Sequence, residues 1–104
     1  MSTASTIQIN FNNAKKQASE LETIAGELKQ LANNDLEDTL NSVAQYWESD
    51  NATAYIKKGN TVQQDILDIS TQLTKTATSI RKIAKITYDA EMAALNLALQ
   101  RRNS

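Results

Sequence analysis

Tyr46-Trp47-Glu48-Ser49-Asp50-Asn51-Ala52 is the stretch that decides the fold. Upstream of it, apolar residues recur at helical spacing from Phe11 to Val43, and downstream they recur from Ala52 to Leu97. The polar cluster just after Trp47, the one tryptophan of the chain, is the sharpest break between the two runs. A large aromatic beside a mid-chain break predicts a helical hairpin, with Trp47 closing its end as a core residue.

Working outward, the first helix is expected over about residues 10–45, after a loose lead-in at 1–9. Asn10 is the favoured cap, because a short side-chain oxygen accepts from the free amides of a first turn. Its seam reads Phe11, Ala14, Ala18, Leu21, Ala25, Leu28, Ala32, Leu36, Leu40, Val43, Trp47. Most steps alternate three and four, the coiled-coil spacing. Leu28 to Leu40 is instead three consecutive steps of four, next to Asn33-Asn34-Asp35, three poor helix formers. Two outcomes are open there: a continuous helix with a weak polar face, or a break near Asn34.

The turn is expected over about 46–51 and the second helix over about 52–99. Its seam reads Ala52, Tyr55, Gly59, Val62, Ile66, Ile69, Leu73, Thr76, Ile80, Ile83, Thr87, Ala90, Ala94, Leu97, with every step three or four. Gly59 in this seam is expected to be a point of close helix packing. The last residues, 100–104, carry Arg101 and Arg102 where the helix dipole favours cations, and are expected to fray.

A hairpin folded about Ser49 puts Phe11 opposite Thr87, so residues from Tyr88 onward are expected to overhang. Apolar residues also lie off the seam at helical spacing. Ile24, Leu31, Ile56, Leu67, Met92 and Leu95 therefore predict a second, partner-facing surface. The fold class expected is all-α: an antiparallel helix-turn-helix hairpin, one domain over 1–104, dimerising into a four-helix bundle. Composition agrees, with no proline, two glycines and an abundance of helix formers.

Composition also narrows the chemistry. Without cysteine or histidine the chain can form no disulfide, thiolate metal site, imidazole metal site or serine–histidine triad. The two glycines are too far apart for a phosphate loop. Asp65 and Asp68 are one turn apart, but Ile66 and Ile69 in the expected seam place them on the solvated side. No catalytic residue, metal or cofactor is expected. A net charge of −1 argues against a nucleic-acid binder, and no stretch approaches the roughly 20 apolar residues of a stable membrane span. The N-terminus lacks the basic and apolar regions of a cleaved signal peptide. Charge is unevenly spread: residues 1–52 carry three basic and eight acidic side chains (net −5), and residues 53–104 eight and four (net +4). Opposite halves favour folding back or pairing with another copy.

Trp47-Glu48-Ser49, followed by Ala52, Tyr55 and Ile56 at helical spacing, resembles the WXG family of small type VII secretion substrates, relatives of the early secreted antigenic target. Chain length, the mid-chain turn, the lack of proline and the Ile7-x-Ile9 lead-in are also similar. The resemblance covers nearly the whole chain, and its most specific part is about ten residues. Two places depart from the pattern. Ser49 stands where the family has glycine. The family export signal, Tyr-x-x-x-Asp/Glu, is matched by Tyr88 with Glu91 one residue early and Met92 in the acidic place. The resemblance implies a secreted protein or secretion partner, cytoplasmic before export. It would act by helical dimerisation and protein binding, as a homodimer or as a heterodimer with a related small helical protein. The secretion ATPase is a further implied partner, and a larger toxin is a candidate cargo. The implied turn motif is Trp47 and Ser49, and the implied export signal is Tyr88 with Glu91 or one supplied by the partner. The competing expectation is a coiled-coil adaptor or structural protein that is not secreted.

Overall fold

The computed structural model describes residues 3–103. These residues are helical almost throughout: α1 (Ala4–Gln30), a π-helical turn (Leu31–Leu36), α2 (Glu37–Tyr46) and α3 (Asp50–Asn103). Among the described residues there is no strand. The chain divides into two compact units, residues 1–21 with 75–104, and residues 22–74. In each unit α3 runs antiparallel to the first helical segment, as a helical hairpin requires.

The first helix starts six residues before Asn10, at Ala4. Thr3 caps it: the Thr6 amide donates to Thr3 Oγ1 at 3.1 Å, which satisfies a first-turn donor. Residues 4–9 are therefore helical, not a loose lead-in. The lead-in expected at Met1 and Ser2, and the fraying expected at Ser104, lie outside the described residues.

In the unit of residues 22–74, the first helix does not break at Asn34; it widens by one turn. Leu28 to Leu40 is twelve residues, and three α-helical turns hold only about eleven. A π-turn, with its longer i→i+5 bonds, takes up the extra residue and keeps the stripe on one face. The flanking residues Gln30 and Glu37 keep ordinary right-handed helical angles, so the helix continues through it. Gln63 fastens the wide turn from α3. Its Nε2 donates to the Ala32 carbonyl at 2.8 Å and to Glu37 Oε2 at 2.7 Å. One turn-pair further along, Ser70 Oγ donates to the Ala25 carbonyl at 2.7 Å and is itself buried. Ala25 and Ala32 are seven residues apart, as are Gln63 and Ser70, so the two contacts set one register between the helices.

The same unit contains the turn. α2 ends at Tyr46, and Trp47 is extended (φ −115°, ψ 119°) while its amide still donates to the Val43 carbonyl at 3.0 Å. Ser49 then caps α3: the Ala52 amide donates to Ser49 Oγ at 3.2 Å, and the Thr53 amide to the Ser49 carbonyl at 3.2 Å. No described residue has a positive φ. The turn thus never enters the region that favours glycine, and a serine that caps serves it well. We predict that Ser49→Ala lowers stability by about 1 kcal/mol, whereas Ser49→Gly lowers it by only a few tenths. Equal losses in urea denaturation would show that the hydroxyl does not cap.

Close packing near the turn involves Leu40, which is buried, and Gly59. A Cβ at Gly59 would run into the Leu40 side chain. The expected close-packing role of Gly59 is what the structure shows.

In the unit of residues 1–21 and 75–104, the Phe11 and Tyr88 rings lie 4.8 Å apart. This is one residue from the expected pairing of Phe11 with Thr87. Arg81 Nη2 donates to Ser19 Oγ at 3.1 Å across the helices. Tyr88 does not overhang: the Phe11 ring lies beside it, and the early start of α1 adds Ile7, which is buried and lines the same groove.

The seam on α3 differs from the expected one. Buried or half-buried positions run Ala52, Ile56, Gly59, Gln63, Ile66, Ser70, Leu73, Ala77, Ile80, Ala84. This is also a three–four alternation, and it shares Ala52, Gly59, Ile66, Leu73 and Ile80 with the expected seam. The other column is replaced: Gln63, Ser70, Ala77 and Ala84 face the first helix, while Val62, Ile69, Thr76 and Ile83 do not. Along α1, the π-turn and α2 the buried positions are Ile7, Ala18, Ala25, Ala32 and Leu40, three of the five being alanine. Alanine, glycine and serine let two helices approach closely, and interaxial distance follows side-chain size at the contact.

Candidate functional site

Small residues inside leave large ones outside. In the unit of residues 22–74, Ile24 and Leu31 on α1 and the π-turn, and Tyr55, Val62 and Ile69 on α3, are all exposed. They are not scattered. Ile24 and Leu31 are seven residues apart, and Tyr55, Val62 and Ile69 follow the same interval, so each set runs along one helix face. Leu31, Leu36, Val62 and Ile66 line one shared groove, with Asp35 and Thr39 at its edge. Ile24, Leu28 and Leu31 line a neighbouring one with Glu27, Gln30, Asn34 and Asp35. The result is an apolar strip with acidic margins.

At the closed end of this unit, Trp47 is 57% exposed and Tyr46 75% exposed, so neither is core. Trp47 was expected to be buried between the helices. It lies outside because α2 ends one residue earlier and the backbone turns away in an extended conformation. Its ring sits 6.3 Å from that of Tyr55, an aromatic pair on the outer surface.

In the unit of residues 1–21 and 75–104, an apolar groove of about 280 Å³ is lined by Ile7, Phe11, Ile80, Ile83, Tyr88 and Glu91, among others. That volume is at the lower edge of small-ligand cavities, roughly 300–1,000 Å³. Ile83 is 62% exposed on its rim, and Ile86, Leu97 and Leu99 are also exposed in this unit. Lys15 Nζ lies 4.4 Å from the Phe11 ring centre, a cation–π contact at the groove edge. Lys85 Nζ is 2.9 Å from Asp89 Oδ1, and this hydrogen bond holds the Lys85 amine above its ordinary pKa.

The residues expected to face a partner are divided by the structure. Ile24 and Leu31 are exposed, whereas Ile56, Leu67, Met92 and Leu95 are half-buried. Ile56 falls in the column of Gln63 and Ser70, the one that α3 turns toward the first helix. Tyr88 and Glu91 are both half-buried and share the apolar groove, with Tyr88 stacked on Phe11. Val62, Ile69 and Ile83 had been assigned to the intrachain seam, so their exposure was missed. The signal that could have found it is the column Gln63, Ser70, Ala77, Ala84, whose small and hydrogen-bonding residues suit a tight helix pair. Gln63→Leu should cost about 1–2 kcal/mol by leaving the Glu37 carboxylate without this donor. An unchanged denaturation midpoint would remove Gln63 from the register-setting contacts.

No cluster of acidic side chains among the described residues is placed to hold a metal ion. No helix among them is long and apolar enough to cross a membrane. The chain matches no family model, no curated protein and no solved structure.

Proposed function

We propose that this chain is a protein-binding helical module of the WXG kind, a small secreted protein or secretion partner of a type VII system that works by associating through its helices. The observation that carries the binding part is the inversion of the two α3 columns. Ala, Ser and Gln are turned inward while Tyr55, Val62, Ile69 and Ile83 are left to solvent. Large apolar side chains at seven-residue intervals are the seam of a helical interface whose partner lies outside the pair. A four-helix bundle is the simplest completion.

The secretion part rests on the resemblance at Trp47-Glu48-Ser49. Three features of the site are compatible with it. The Trp47–Tyr55 pair is accessible to a partner, and the serine in place of glycine keeps the turn by capping α3. Tyr88 and Glu91 share a groove, so the early acid still lies near the tyrosine. Deleting the secretion ATPase in the native host should retain the protein inside cells. Its undiminished appearance in culture medium would refute export by this route. Met92 in the place of the acid favours the second reading, a coiled-coil adaptor that is not secreted, and the same experiment separates the two.

A further inference from the structure

The apolar groove in the unit of residues 1–21 and 75–104 has two unlike ends. The Phe11–Tyr88 ring contact fixes the pairing of its antiparallel walls, so Ala14 lies toward Ile80 and Ile7 toward Glu91. One end is therefore wholly apolar, with Ala14, Ile80, Ile83 and Ala84. The other end sets Asn10, Thr87 and Glu91 beside Ile7. From Ile80 to Glu91 the α3 wall runs about 16 Å, at about 1.5 Å per residue. A volume of about 280 Å³ spread over that length gives a channel roughly 4 Å across, the thickness of one hydrocarbon chain at packing distance. A helix, about 10–12 Å across, is too wide to enter it.

The charge of the unit makes the acid at this end stand out. Residues 1–21 with 75–104 hold three acidic and eight basic side chains, a net of +5. Yet no lysine or arginine occurs in residues 1–14 or 86–100, the segments from which both walls of the polar end are built. Lys15 lies on the Phe11 ring and Lys85 is engaged by Asp89, and neither lines the groove. Glu91 is half-buried there. An acidic side chain thus ends an apolar channel, and no basic side chain of the channel answers it.

We propose that this groove binds a linear primary alkylammonium, its chain laid along Ile80 and Ile83 and its head at Glu91. A primary ammonium carries three donors and no acceptor. Glu91, Asn10 and Thr87 each offer it an acceptor oxygen at the same end of the groove. The bond to the carboxylate is charge-assisted, and so about twice as strong as a neutral one. The methylenes supply affinity and Glu91 supplies selectivity. This inference goes beyond the protein-binding reading and does not rest on it. It is read on the purified chain, so its failure would leave association and export as they stand.

Methyl-labelled full-length chain, titrated by nuclear magnetic resonance with n-octylammonium, n-octanoate and octan-1-ol, tests this. Octylammonium is expected to move the methyl signals of Ile7, Ile80 and Ile83 and to bind at least about tenfold tighter than the other two. Long-range attraction to a unit of net +5 would favour octanoate, so the comparison isolates Glu91. Shortening the chain to butylammonium should weaken binding about two- to fourfold per methylene. Glu91→Gln keeps an acceptor and removes the charge. It should bring octylammonium down to the level of octanol while leaving octanol binding and the urea midpoint unchanged. Ile83→Ala should instead weaken octylammonium and octanol alike. Octanoate bound as tightly as octylammonium would overturn the proposal, as would a Glu91→Gln chain that binds octylammonium normally. Equal shifts at Ile24 and Ile69, in the other unit, would overturn it as general adsorption of an amphiphile. Groove methyls that move with a lysine-bearing helical peptide and not with octylammonium would overturn it in favour of a protein ligand.

Discussion

Leu40→Ala is expected to destabilise the chain by about 2–4 kcal/mol, more than truncation of the much larger Trp47. Leu40 is 4% exposed and packs against Gly59 of α3. Removing its isopropyl group leaves a cavity that two helices, fixed by Gln63 and Ser70, have little freedom to close. Trp47 is more than half exposed, so Trp47→Ala forfeits only part of its contact with Tyr55 and should cost less than about 1 kcal/mol. The pair Leu40–Gly59 gives an internal check. Gly59→Ala alone should cost about 1–2 kcal/mol by overpacking. In the Leu40→Ala background the same change should be neutral or stabilising, since the added methyl enters the vacated space and alanine favours the helix. Urea denaturation of the four proteins measures the coupling; additive losses would show that the two residues do not touch.

The second large effect is at the inward column itself. Ala77→Leu inserts three carbons at a position with no exposed surface and should cost about 1–3 kcal/mol. Ile83→Ala, six residues on and facing out, removes the same number of carbons. Its cost to the isolated chain should be under about 0.5 kcal/mol. If a partner copy covers Ile83, that cost grows with protein concentration, because binding to the folded state adds to apparent stability. Thermal melts over a hundredfold range of concentration distinguish these two behaviours. A large, concentration-independent loss for Ile83→Ala would place Ile83 inside the hairpin after all.

These residues also show which parts of the molecule were legible before its structure. The hairpin, its turn near Ser49, the approach of Phe11 to Thr87–Tyr88 and the tight packing at Gly59 all follow from spacing. Spacing survives into three dimensions because it is set by helical geometry. The choice of face did not follow. Ala52, Gly59, Ile66, Leu73 and Ile80 belong to two heptad registers at once, and apolarity favours the wrong one, with Tyr55, Val62, Ile69 and Ile83. The intrachain pair instead takes Gln63 and Ser70, whose polar groups reach backbone carbonyls on the facing helix. Hydrophobic patterning assigns the bulkiest column to the first available partner, and here that partner is a helix lined by alanine.

Other differences have equally local causes. Three steps of four between Leu28 and Leu40 pointed to an irregularity, and sequence alone left break and continuity as the outcomes. A π-turn is a third, since it adds a residue without ending the helix. Thr3 caps α1 ahead of any apolar periodicity that would announce the helix, so the start expected at Asn10 is six residues late and Ile7 is missing from the neighbours expected for Tyr88. Trp47 was assigned to the core on the strength of its size, but size decides burial only where the backbone turns the side chain inward, and after Tyr46 it does not.

The account depends on which column of α3 faces the first helix. Nuclear Overhauser contacts from the methyl groups of Ala25 and Ala32 measure this directly. The structure predicts contacts from Ala32 to the Gln63 side chain and from Ala25 to Ser70, with none from either methyl to Val62 or Ile69. Contacts from these alanines to Val62 and Ile69 would contradict it, because the large apolar column would then be consumed within the hairpin and no surface would be left for a partner.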